Sequence, residues 1–186
     1  MVQPRQSDPR MSAEDFMRWY DLQPEGKRWE LLEGHVYEMQ SERLAHAETK
    51  QRIVERLRRH ISALGLPCQA LGDGMAVKVD DDVIFEPDVQ VRCGQPLPGN
   101  TTLILDPMIV VEVASPSTQR IDALVKYTLY FRNPNIIHYL IVIPPDKAVI
   151  HHQRLASGEI VGRNYRGGII RFDPPGIELN LDEVLT

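Results

Sequence analysis

The sequence predicts a mixed α/β (α+β) domain, a central mixed β-sheet flanked by helices, with an N-terminal hairpin and antiparallel strands at the C-terminus. Three observations carry this expectation. Apolar residues recur at helical spacing over 43–64 and again after Ser115. Two strongly apolar segments, 108–114 around Glu112 and 136–145 interrupted by His138, read as buried strands, too apolar to have one wet face. Short extended runs between Gly, Asp and Pro turns fill the rest, and strands around two long helices make a sheet with helices on its faces. At 186 residues and 42% hydrophobic, the chain suits a single domain with a sizeable core.

The elements follow in order. Residues 1–11, polar with no apolar signal region, read as a flexible arm. Ser12 is a candidate N-cap with Glu14 and Asp15 in the first turn of a short helix. "WELLEGHVYE" reads as two strands joined at Glu33-Gly34. In the first long helix Ile53, Leu57, Ile61 and Leu64 form the stripe, and Gly65 with Pro67 ends it. "CQALGD", "MAVKVD" and "VIFEPDVQVRC" are three extended segments, and a loop over 93–102 leads to the apolar strand. Pro116 stands near the start of the second long helix, which presents Ile121, Leu124, Val125, Tyr127 and Leu129. A buried strand, "IIHYLIVI", follows; the strands before and after this helix suit a parallel crossover. The tail reads as antiparallel strands closing in a last short helix.

Charge and cysteines narrow the function. A net charge of −5 and a pI near 5.7 argue against binding by nonspecific phosphate attraction, without excluding an enzyme that works on nucleic acid. No apolar run is long enough to span a membrane. Cys68 and Cys93 are too few for a disulfide scaffold and read as reduced thiols, so the expected location is the cytoplasm.

"VVEVASPST" raises the main chemical question, because Glu112 stands inside an apolar strand. A buried carboxylate needs a partner, a metal or a proton. Asp88, at a strand start after Pro87, can converge with Glu112 on one edge of the sheet. Two carboxylates brought together repel unless a cation lies between them, so the expected counter-charge is a metal. Mg²⁺ or Mn²⁺ held by one or two carboxylates can stabilise a scissile phosphate and activate water.

"FEPDVQV", then "VVEVASPSTQRIDALVKY" and "IIHYLIVIP", resemble the PD-(D/E)XK nuclease superfamily. Together with "ELLEG" at 30–34 and His46, they resemble more closely its Uma-type restriction-endonuclease family. The resemblance covers about 29–144. It implies a restriction-endonuclease-like core, metal-dependent hydrolysis of DNA, and a further metal ligand in the carbonyl of Val113. The chain departs from the E-x-K pattern, since Ala114 stands where the lysine belongs. Lys126, on the following helix, is the expected replacement, because a flexible ammonium can reach one point from another backbone site.

Asp88, Glu112 and Lys126 are therefore the expected catalytic residues, and Asp88, Glu112 and Val113 the metal ligands. Asp122 is a secondary candidate that would orient Lys126, although the two alone suggest an ordinary i,i+4 ion pair. His46 is more often a hydrogen-bonded helix-start histidine than a ligand, and Glu30 faces either the site or the polar side of its hairpin. His151 and His152 point to opposite strand faces, so they should not share a metal. Arg52, Arg56 and Arg59 form a solvated face or a phosphate-tracking stripe. Cleavage of both DNA strands would suit a homodimer. The alternative is a catalytically silent nucleic-acid-binding or interaction protein on the same fold, supported by Ala114 and the acidic charge. A metal-dependent hydrolase of a different substrate is the third reading.

Overall fold

A computed structural model describes residues 10–39, 41–114 and 121–185, and for 121–124 the backbone alone. Helix α1 (Ala13–Tyr20) starts where expected, with Ser12 Oγ accepting from Asp15 N–H. It seals Phe16 against Leu31 and Ile84. Strands β1 (Trp29–Leu32) and β2 (His35–Glu38) form the hairpin, turning at Glu33 and Gly34, both at positive φ. That pairing of two left-handed residues matches the twist of a tight hairpin. Of the expected arm, residues 1–9 lie outside the described residues, whereas Met11 N–H already bonds to the Gly34 carbonyl.

Helix α2 (Leu44–Leu64) ends at Gly65 in the left-handed conformation, and its buried face carries Ile53, Val54, Leu57 and Ile61. Next come β3 (Cys68–Gly72), β4 (Ala76–Asp80), β5 (Val83–Phe85), β6 (Val89–Cys93), β7 (Leu103–Ile104) and β8 (Pro107–Val113). Helix α3 (Ile121–Tyr130) connects β8 to the parallel strand β9 (His138–Ile143). The tail forms β10 (Ala148–Arg154), β11 (Ile160–Tyr165), β12 (Ile169–Phe172) and β13 (Ile177–Asn180), then a 3₁₀ turn at Leu181–Glu183.

The strands make more than one sheet. A six-stranded mixed sheet runs β11-β10-β9-β8-β6-β3, a five-stranded one β2-β1-β5-β4-β7, and β12–β13 pair separately. "VIFEPDVQVRC", expected as one extended segment, is divided between the two larger sheets. Proline has no N–H to give a ladder, and the chain changes sheet through Glu86-Pro87-Asp88.

Strand alternation sorts the core. Ile109, Val111 and Val113 face α2 together with Val89 and Val91, and the β12–β13 residues Ile170, Phe172, Ile177 and Leu179 complete that cluster. Val110 and Ala114 belong to the opposite layer, with Tyr130, Tyr139 and the β4–β5 residues Val77, Val79 and Phe85. Period 2 therefore turns Glu112 toward α3 and the five-stranded sheet.

The expectation of reduced cysteines is overturned. Antiparallel pairing of β3 with β6 sets Cys68 directly opposite Cys93, and the two are joined in a disulfide. Among the described residues, no helix is long and apolar enough to cross a membrane.

Candidate active site

Asp88 and Glu112 meet because of the β6–β8 register. Val89 pairs with Val111, so the residues just outside that pair, Asp88 and Glu112, come side by side. Asp88 Oδ2 accepts the Val113 N–H at 2.7 Å, which fastens the carboxylate to the neighbouring strand. In an extended strand a residue's N–H and C=O point the same way, so the Val113 carbonyl also faces the β6 side. Ala114 N–H bonds instead to Val142 on β9.

Lys126 reaches the pair from α3. Its Nζ donates to Glu112 Oε1 at 3.0 Å and to Glu30 Oε1 at 2.8 Å, and lies 4.9 Å from the centre of the Phe85 ring. Tyr130, one turn later, donates its hydroxyl to Glu112 Oε1 at 2.7 Å. Glu30, on β1, also accepts the Glu86 N–H, which ties the hairpin to the site. The side chain of Asp122 lies outside the described residues; among the described residues Lys126 pairs with Glu30 and Glu112.

Helix α2 closes the other side. His46 Nε2 lies 3.1 Å from Asp88 Oδ2, and Lys50 Nζ 3.4 Å from Asp88 Oδ1. Lys50 also binds Glu42 Oε2 at 2.6 Å and Asp73 Oδ2 at 2.8 Å. Arg28 bridges Asp73 and Glu86. Lys50, Glu42, Asp73, Glu86, Arg28 and Tyr130 were not among the expected site residues. Lys50 carried a signal: it extends the Ile53, Leu57, Ile61 stripe by a turn, so a charge falls on the buried face of α2.

The surroundings pull the two carboxylates apart electrostatically. Burial opposes ionisation of Asp88, but the His46 bond and charge, the Val113 N–H and Lys50 outweigh it, and its carboxyl falls below the ordinary value. Burial pushes Glu112 up to about 7. Lys126 opposes that rise, the charges of Asp88 and Glu30 add to it, and the Tyr130 bond opposes it. For Lys126 burial disfavours the charge, yet Glu112 and Glu30 hold the ammonium well above its usual range.

The donor set fits a divalent cation. Six carboxylates, Glu30, Glu42, Asp73, Glu86, Asp88 and Glu112, adjoin three permanent cations, Arg28, Lys50 and Lys126. The excess is negative, and Asp88, Glu112 and the Val113 carbonyl offer oxygen atoms of the kind hard cations take. Among the described residues, Glu112 Oε2 has no hydrogen-bond donor. Glu42, His46 and Asp88 form a second set whose ligand atoms lie within 4.8 Å of one another.

The remaining candidates stay apart. His151 is buried against His138 at 2.9 Å, while His152 packs on Tyr127 and Tyr139, so the neighbours face opposite ways as alternation requires. Arg56 pairs with Glu183 and Arg59 with Glu55.

Comparison with known proteins agrees with this architecture. A crystal structure from Anabaena variabilis, described as a putative nuclease belonging to DUF820, superposes with a TM-score of 0.74. That match covers 94% of this chain and 97% of the other at 12% identity, so the likeness is one of fold. An uncharacterized protein of Synechocystis is 27% identical over 159 residues, 85% of this chain and 82% of its own. The family model "Uma2: Putative restriction endonuclease" matches residues 13–182. With nearly its whole length matched, the chain belongs to the Uma2 family of putative restriction endonucleases.

Proposed function

We propose that this protein, acting as a single domain, is a divalent-cation-dependent endonuclease that hydrolyses DNA phosphodiester bonds. The observation that carries this reading is the 3.0 Å contact between Lys126 Nζ and Glu112 Oε1, which brings the ammonium from α3 to the carboxylates although Ala114 occupies the usual lysine position. Asp88, Glu112 and the Val113 carbonyl would hold Mg²⁺ or Mn²⁺. Such an ion, when bound, lowers the pKa of water and neutralises charge on a phosphate. Lys126 supplies a fixed positive charge beside that position, where it can orient a water or stabilise negative charge developing on phosphate oxygens. Tyr130 and Glu30 hold Glu112 and Lys126 in place, and His46 does the same for Asp88.

A homodimer with two such sites would cut both strands of a duplex. A DNA substrate points to the cytoplasm, where a reducing thiol pool would act on the Cys68–Cys93 bond.

The test is cleavage of varied DNA substrates by purified protein with Mg²⁺, Mn²⁺ or EDTA, beside Glu112→Gln. Cation-dependent cleavage that Glu112→Gln abolishes while remaining folded is the expected result. Cleavage undiminished in Glu112→Gln would assign the activity elsewhere. DNA binding with no cleavage under any cation would make the protein a silent binder.

A further inference from the structure

Lys50 occupies an unusual place for a lysine. Its side chain is 6% exposed, on the buried face of α2, and its ammonium meets Glu42 at 2.6 Å, Asp73 at 2.8 Å and Asp88 at 3.4 Å. Glu42, His46 and Asp88 would otherwise make a ligand set of two carboxylates and an imidazole, with their ligand atoms within 4.8 Å. That chemistry suits a nitrogen-tolerant divalent ion such as Zn²⁺ or Mn²⁺. The Lys50 ammonium already touches two of the three ligands.

We propose that Lys50 is a positioning residue that serves as the built-in cation of the Glu42–His46–Asp88 cluster, so that the protein takes up one divalent ion, on the Asp88–Glu112 side, rather than two. This rests on reading Asp88 and Glu112 as a cation site. The argument is one of competing charges. An ammonium and a divalent ion cannot share these few ångströms without strong repulsion, so one excludes the other. Lys50 is held from a third direction by Asp73, itself fastened by Arg28 at 2.8 Å, so its departure would strand a chain of paired charges. The ammonium also lies 3.4 Å from Asp88 Oδ1, the oxygen that the Val113 N–H does not engage.

The experiment counts ions bound per chain, by calorimetry with Mn²⁺ and with Zn²⁺ alone, for wild type, Glu42→Gln, Lys50→Met, Lys50→Arg and Lys50→Met/Glu42→Gln. Wild type and Glu42→Gln should bind the same number. Lys50→Met should gain one Zn²⁺ equivalent, Lys50→Arg should not, and the gain should vanish in the double variant. An ion that wild type binds and Glu42→Gln loses would overturn the proposal, as would a folded Lys50→Met with no added equivalent. Should Lys50→Met fail to fold in a thermal melt, the comparison of wild type with Glu42→Gln decides alone. Wild type binding no ion, with a Glu42-dependent gain in Lys50→Met, would refute the Asp88–Glu112 cation site yet support the role of Lys50.

Discussion

The Tyr130 hydroxyl donates to Glu112 Oε1 at 2.7 Å, from the same helix face that presents Lys126. This bond favours the ionised form of Glu112 against the burial that raises it to about 7. Tyr130→Phe keeps the ring contacts with Phe85 and Tyr139 and removes the donor alone. It should cost about 1 kcal/mol in stability. Glu112 without a cation should titrate higher than in wild type, so protons should compete harder with cation binding, and the variant's loss of cation affinity should be largest at low pH and shrink as pH rises. A pH dependence of cation affinity superimposable on wild type would break the link between Tyr130 and the carboxylate.

Lys126→Ala should retain cation binding and lose cleavage, because it removes the ammonium and leaves Asp88, Glu112 and the Val113 carbonyl in place. It also leaves Glu30 and Glu112 without their shared partner, at a cost of about 3 kcal/mol. Adding Ala114→Lys should restore part of the activity, since 114 lies on the strand face of Glu112. Ala114 packs against the apolar layer, so folding must be followed by melting. Full activity in Lys126→Ala would remove this residue from the chemistry.

The buried histidine pair gives the fold its own acid limit. His138 Nε2 lies 2.8 Å from the Pro174 carbonyl and must donate to it, so its Nδ1 accepts from His151 Nε2. Burial lowers His138 to about 4 and, with the charges of His138, Arg163 and His152 adding, His151 to about 3. The unfolded chain takes up these protons near pH 6.5 and the folded one does not, so stability should fall as pH drops from about 6.5 toward 4. Melting temperature against pH should show this slope, reduced by about one proton in His151→Gln. Equal slopes for the two proteins would exclude the pair as its source.

Oxidation state offers a separate check. Intact mass under non-reducing denaturing conditions should show the Cys68–Cys93 bond, and reduction should destabilise the fold by about 3 kcal/mol, as expected for a loop of this length. A melting temperature indifferent to reductant would mean that the bond contributes nothing to folding.

What could be read in the sequence was local. The hairpin at Glu33-Gly34, the stop at Gly65 and the cap at Ser12 each depend on a few adjacent residues. Glu112 was conspicuous because it contradicts its own strand, and Lys126 because Ala114 left a position to fill. The Cys68–Cys93 bond was hidden because it depends on register between strands distant in the chain. The change of sheet at Pro87 was hidden because both flanking runs are equally extended. Lys50 was legible as a charge on an apolar stripe, but its partners Glu42, Asp73 and Asp88 come from three separate segments that only the folded chain assembles.

The β6–β8 register has a consequence for how such a site can change. Its acids are fixed by a ladder: moving either one along its strand by a single position would turn its side chain to the opposite layer. Restoring the meeting of Asp88 and Glu112 would then require sliding a whole strand and rebuilding every rung. The ammonium is under no such constraint, because only the tip of a long side chain has to arrive. A lysine can therefore migrate from strand to helix by two substitutions, one deleting and one installing, without disturbing the backbone, while the carboxylates stay where the sheet keeps them.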